Sequence, residues 1–177
     1  ANDFQSAVSV TTGNNVTLVD TNGITLGGST VSGTLDVTAG NSLIDQSGAV
    51  SAGATTLDAG TGDITLTLAN TFGDLTVTGA TVQITESDGI TDGGAWATTG
   101  VTTLVAGAND ITLNAAGSTT GALELSGANG TVTRDAAVEF GASTLSGTLD
   151  VTTTNTNITQ SGAVSAGATT LDAGTGD

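Results

Sequence analysis

Residues 29–63 read STVSGTLDVTAGNSLIDQSGAVSAGATTLDAGTGD, and residues 143–177 read STLSGTLDVTTTNTNITQSGAVSAGATTLDAGTGD. The second copy lies 114 residues after the first, and its last eighteen positions, 160–177, repeat 46–63 without a change. Duplication on that scale marks a stacked array, in which each unit buries its apolar face against its neighbours. Within the copies, apolar–polar–apolar triplets recur, starting at Val8, Leu35, Leu57, Leu75, Leu104, Leu123, Leu149 and Leu171. Their spacings run from 18 to 29 residues and average near 23. Nine residues after six of these starts stand Ile44, Leu66, Ile84, Leu113, Val132 and Ile158, all aliphatic. A third, more variable strand is expected at Ile24, Ile90 and Val138. Gly, Asn, Asp and Ser fill the intervals, as tight corners require.

The pattern predicts an all-β chain wound as a parallel β-helix (β-solenoid) of about 7 turns, each of 18–29 residues. Period-two alternation sends Leu, Val and Ile inward and Thr, Ser and Asp outward. A longer echo supports the winding. The segment 2–28 (NDFQSAVSVTTGNNVTLVDTNGITLGG) returns at 70–94 (NTFGDLTVTGATVQITESDGITDGG) and more faintly at 118–142. The second unit lacks the counterpart of 29–50, 22 residues or one turn, so the 114-residue super-repeat is read as about five turns. Losing a whole turn leaves a solenoid stacked but would break the register of a closed sandwich, the alternative architecture. Residues 1–177 are expected to form one array, a window of a longer one with no caps visible.

Composition removes other classes. Glycine takes 27 of 177 positions and proline none, and no stretch keeps a 3.6-residue apolar period, which excludes helical and collagen readings. Seventeen acids against one base give a net charge of −16, opposite to what nucleic acid or an anionic membrane attracts. No apolar run reaches the ~18 residues of a spanning helix, so membrane insertion is not expected. Any export signal is expected outside these residues. Without cysteine there is neither a disulfide framework nor a thiolate metal site.

Candidate chemistry is confined to carboxylates and hydroxyls. Asp36 and Asp58, and then Glu124, Asp150 and Asp172, take equivalent outward slots in the triplets, which predicts stacked carboxylates on adjacent turns. At ~4.8 Å such pairs repel by about 1 kcal/mol in water, and calcium could bridge them. The calcium nonapeptide GGxGxDxUx is absent, and Thr76 and Val105 interrupt the series, so solvated charge is the preferred reading. Asp63, Asp110 and Asp177 are expected to cap their own corners. Thr65/Thr67, Thr76/Thr78 and Thr131/Thr133 raise an ice-binding hydroxyl array as an alternative. Glu86, Asp88 and Asp92 form the densest acid group, read as a charged corner. A polysaccharide-cleaving site there is the remoter alternative. No catalytic or cofactor-binding residue is assigned. Trp96 is placed over the junction where a turn is missing, Arg134 is expected to pair with a carboxylate at the surface, and Asn15, Asn129 and Asn157 match the N-x-Thr spacing.

The runs VTLVDTNGITLGGSTVSGTLDVTAG and QSGAVSAGATTLDAG resemble the repeat regions of large bacterial surface proteins of the filamentous haemagglutinin-like type, over essentially the whole chain. The resemblance implies a right-handed β-helix exported to the cell surface, serving as the shaft of an adhesin or as an extracellular fibre. Its expected partners are further copies of itself, end to end or laterally. The alternative is a ligand-binding solenoid for calcium, glycan or ice.

Overall fold

A computed structural model describes residues 2–177, and its regular structure is strand throughout, with no helix among these residues. The chain winds through eight turns. The first carries β1 (Val16–Asp20), β2 (Ile24–Leu26) and β3 (Ser29–Val31), and the second β4 (Leu35–Ala39), β5 (Ile44–Gln46) and β6 (Val50–Ala52). The third holds β7 (Thr55–Asp58) and β8 (Ile64–Asn70), and the fourth β9 (Leu75–Gly79), β10 (Val82–Glu86) and β11 (Ile90–Thr91). The fifth holds β12 (Ala97–Thr98), β13 (Thr102–Val105) and β14 (Ile111–Leu113), and the sixth β15 (Leu123–Gly127) and β16 (Gly130–Arg134). The last two hold β17 (Val138–Phe140), β18 (Ser143–Leu145) and β19 (Thr148–Thr153), then β20 (Ile158–Gln160), β21 (Val164–Ser165) and β22 (Ala168–Asp172).

Strands pair in parallel with the turns above and below, never with their neighbours along the chain. A ten-stranded sheet runs the length of the rod from β2 to β20 and β21. A five-stranded sheet (β1-β4-β7-β9-β12) lines the lower part and a second one (β11-β14-β16-β19-β22) the upper part, while β3 and β6 form a short ladder. The two five-stranded sheets meet where Asp92, just after β11, bridges to Leu75 of β9.

The winding is tighter than the triplet spacing predicts. Stepping from Ile24 through Ile44, Ile64, Val82, Thr102 and Leu123 to Phe140 climbs six turns, each of 17 to 21 residues. The super-repeat therefore spans six turns, not five, and the chain makes eight turns rather than seven. Leu57 pairs with Val37, two residues beyond the expected Leu35. Glycine corners set this register. The Gly53 N–H donates to the Gly33 carbonyl at 2.8 Å and the Gly73 N–H to that of Gly53 at 3.0 Å. A Cβ on Gly53 would lie 2.5 Å from the Gly33 oxygen, so only a glycine column lets the backbones approach this closely. Sliding by two residues keeps every side chain on its own face, which is why alternation alone could not tell 22 from 20.

Ser29 pairs with Val50, so the segment missing from the second echo unit is one turn, as expected. The echo also stacks alike, with Asn2 on Asp20 and Val8 on Leu26 matching Asn70 on Glu86 and Leu75 on Asp92. Each unit ends part-way round the rod, however, so the like-sequenced β1 and β10 belong to different sheets. The six aliphatic positions point inward: Ile44, Leu66, Ile84, Leu113 and Val132 are buried and Ile158 is half-buried. They divide between two sheets, Leu113 and Val132 lying apart from the other four. Each fully buried side chain of this kind contributes about 1.5–3 kcal/mol, and together they form one core along the axis.

Candidate functional site

The glycine-set register decides what the outward carboxylates face. Asp36 lies between Thr17 and Thr56, and Asp58 between Thr38 and Thr78. Asp150 lies between Thr131 and Thr170, and Asp172 beside Thr152. Glu124 pairs with Thr103, whose hydroxyl donates to Oε2 at 3.0 Å. The expected carboxylate columns do not form: each of these acids has threonine as its ladder neighbour, and the five are spread over three sheets. The calcium bridge argued from that stacking has no stack to bridge. Among the described residues no group of three or more acids is gathered as a metal site.

The corner acids act differently from their expected role as well. Asp63 accepts the Thr81 N–H at 2.9 Å and Asp110 that of Asn129 at 3.1 Å, each from the following turn rather than its own corner. Asparagines repeat the device. Asn15, Asn41, Asn129 and Asn155 accept the N–H groups of Thr34, Thr61, Thr148 and Thr175 at 2.8–3.2 Å. Asn157 accepts that of Asp177 at 3.2 Å, which makes Asp177 a donor here. Asn15, Asn129 and Asn157, the three N-x-Thr positions, thus clamp one turn to the next. Own-corner capping falls instead to Asp58 and Asp172, which accept the Gly60 and Gly174 N–H groups, and to Asp20, which accepts that of Asn22 and also that of Phe4 from the preceding turn. These bonds, from Asn22 foremost, hold the Asp20 carboxyl below its usual range.

The run TESDGITDGG, expected as a charged corner, sends two of its three acids inward. Glu86 is 2% and Asp92 5% exposed, whereas Asp88 stays in solvent. Glu86 continues the inward phase of Val82 and Ile84 and so enters the core at a strand end. One oxygen accepts the Phe72 N–H at 3.0 Å and the other has no partner. Burial first, then the Asp88 charge, push its pKa up to about 8 against the lowering effect of the Phe72 bond, so it is a neutral acid at pH 7. Beside it Asn70 exchanges hydrogen bonds with Gln46 and accepts the Val50 N–H. This amide pair also holds the bulge of β8, where two extra residues separate Leu66 from Asn70 relative to Ile84 and Glu86.

Arg134 is buried rather than at the surface. Its Nη1 meets Asp92 Oδ2 at 3.0 Å, with both side chains within 1% of full burial, and its Nε and Nη2 lack partners. Asp92 also accepts the N–H groups of Asn114 and Ala115 at 2.7 and 3.0 Å. Trp96, four residues after Asp92, is fully buried, its indole N–H donating to the Leu75 carbonyl at 2.9 Å and its backbone N–H to Ser118 Oγ at 3.1 Å. The sequence did carry a signal for this seam. Aligning VTLVD, VQITE and GTVTR puts Asp20, Glu86 and Arg134 in one inward slot.

The threonine pairs fall on three sheets: Thr65/Thr67 on the ten-stranded one, Thr76/Thr78 on the lower and Thr131/Thr133 on the upper five-stranded sheet. They make no single hydroxyl plane. An open groove of about 280 Å³ runs along the lower sheet, lined by Thr34, Asp36, Thr56, Asp74, Thr76 and Gly93.

The repeats seen in the coil match a family described as repeats of unknown function (DUF5649), over residues 13–78, 69–126 and 127–177. The chain belongs to this family. Gly13 and Gly127, where two of the matches begin, are 114 residues apart, so the DUF5649 pattern follows the six-turn super-repeat. The matched segments run from just before β1 to the end of the chain, so DUF5649 repeats here form a β-solenoid. No curated protein and no solved structure matches the chain.

Proposed function

We propose that these DUF5649 repeats are the stiff shaft of an exported bacterial surface protein of the filamentous haemagglutinin-like type, or an extracellular fibre built the same way. The observation that carries this reading is the continuous parallel ladder, in which each of eight turns covers the one before it around a single aliphatic core. Such a body gains length by about 4.8 Å for each added turn and needs no other change. Its outside suits the role. Acids alternate with threonine, so a net charge of −16 is spread along the sides and keeps rods soluble and laterally apart. In this reading the outward groups serve solvation and no residue performs chemistry. Antibodies raised against the chain test it on source cells. Labelling of intact cells is the expected result, and labelling only after permeabilisation overturns the proposal.

A further inference from the structure

Two asparagines in this chain are followed by glycine, Asn22 in TNGIT and Asn129 in ANGTV. An asparagine amide reacts most readily with its own backbone at such a step, because glycine leaves the next nitrogen uncrowded. That nitrogen attacks Cγ, its proton leaves with the amide nitrogen as ammonia, and a cyclic succinimide closes. Water then opens the ring at either carbonyl, giving aspartate or isoaspartate, whose main chain runs through the side-chain carbon. Water is the only co-reactant. The step requires a following N–H that is free of the ladder and an amide free to turn towards it.

The coil treats the two sites differently. Asn129 is half-buried and fastened on both sides of its amide. Its Nδ2 donates to Asp110 Oδ1 at 2.8 Å, and its Oδ1 accepts the Thr148 N–H at 2.8 Å and the Thr148 hydroxyl at 3.1 Å. Gly130 is buried and opens β16, laddered between Ile111 and Leu149. Closing a ring there breaks three side-chain bonds and pulls Gly130 out of register. Asn22 stands exposed in the corner between β1 and β2. Its amide makes one bond, from Nδ2 to Asp3 Oδ1 at 2.8 Å, and its Oδ1 accepts nothing among the described residues. Gly23 lies outside the strands, and its N–H meets no acceptor among the described residues. Asp3 belongs to the turn beneath this corner and Leu43 to the turn above, so the exposure is to the side of the rod.

We propose that Asn22 is a site of self-modification, converted through a succinimide with Gly23 to aspartate and isoaspartate, while the fold preserves Asn129. The inference goes beyond the shaft reading and does not depend on it. The conversion is slow, runs one way and changes the corner it occurs in. The new carboxylate faces Asp3, which loses the amide it held at 2.8 Å, and lies beside Asp20, which holds the Asn22 N–H at 2.9 Å. Three acids then crowd one corner of a chain that already carries a net charge of −16. The isoaspartyl form also adds a carbon to the main chain two residues before Ile24, which is buried and donates its N–H to the Leu43 carbonyl at 2.9 Å. The corner therefore loses its side-chain tie to the turn beneath and is lengthened on the way into the core.

The test is to age the full chain at pH 8 and follow both sites by peptic digestion and mass spectrometry, with enzymatic methylation to label isoaspartate. The Asn22 peptide is expected to gain the mass of an amide-to-acid exchange and to take up the label. The Asn129 peptide should convert at least about tenfold more slowly, as the loss of three hydrogen bonds requires. In urea the two sites should convert at similar rates, because the protection of Asn129 comes from the fold. Asn22→Gln should abolish the early charge change seen by isoelectric focusing, and Asn129→Gln should leave it unaltered. No conversion at Asn22 in the folded chain, or equal rates at the two sites, overturns the proposal. A difference that persists in urea overturns it as well, since local sequence would then be the cause.

Discussion

Glu86 should make this protein less stable as pH rises through the neutral range, and Glu86→Gln should remove that dependence. In the unfolded chain the carboxyl titrates near its ordinary value of 4.5, whereas in the fold burial raises it to about 8. Between those values the folded state holds a proton that the unfolded state has lost, so stability is fully present below pH 4.5 and falls as pH climbs towards 8. At about 1.4 kcal/mol per pH unit the loss over that window is about 5 kcal/mol. Most of it, about 4 kcal/mol, falls between pH 5 and 8. Glutamine keeps an oxygen for the Phe72 N–H and carries no proton to lose. Urea unfolding followed by the fluorescence of Trp96, the single tryptophan and fully buried, reads this part of the rod without adding salt. Wild type and variant should nearly coincide at pH 4.5–5, with the variant ahead by several kcal/mol at pH 8. Parallel curves across that range would show that Glu86 is ionised in the fold and refute the reasoning.

Arg134→Leu alone should destabilise by about 3–5 kcal/mol, because it strands the Asp92 charge in the core. Pairing it with Asp92→Leu should recover much of that loss, as measured by the same urea titration. Gly53→Ala should cost about 1–3 kcal/mol, since its Cβ would meet the Gly33 carbonyl at 2.5 Å, and thermal melting checks it. Trp96→Phe should lose the hydrogen bond to the Leu75 carbonyl and cost about 1–2 kcal/mol in the melting free energy. Millimolar calcium should shift the melting temperature no more than sodium chloride of equal ionic strength, because the ladder neighbours of the outward acids are threonines. A calcium-specific rise would contradict that account.

The solenoid was legible because it rests on local, repeated information. Duplication at 114 residues, triplets of alternating polarity and glycine-rich corners already require short strands stacked around an aliphatic interior. Ile44, Leu66 and Ile84 could be placed inward from the chain alone, and so could Glu86, which keeps the same alternation. Register was harder to read. The Leu-Asp motifs recur at 22 residues, but the glycines recur at 20, as Gly33, Gly53 and Gly73 show. Both spacings obey the same in–out parity. Contacts between backbones a full turn apart choose between them, and that choice puts Asp36 and Asp58 beside threonines instead of beside each other. The partner of Arg134 was likewise undecided by sequence. Asp92 lies 42 residues away, and which of seventeen acids shares the interior with that guanidinium depends on how three successive turns settle over one another. Periodicity along the chain fixes which way a side chain points; close packing between turns fixes what it meets.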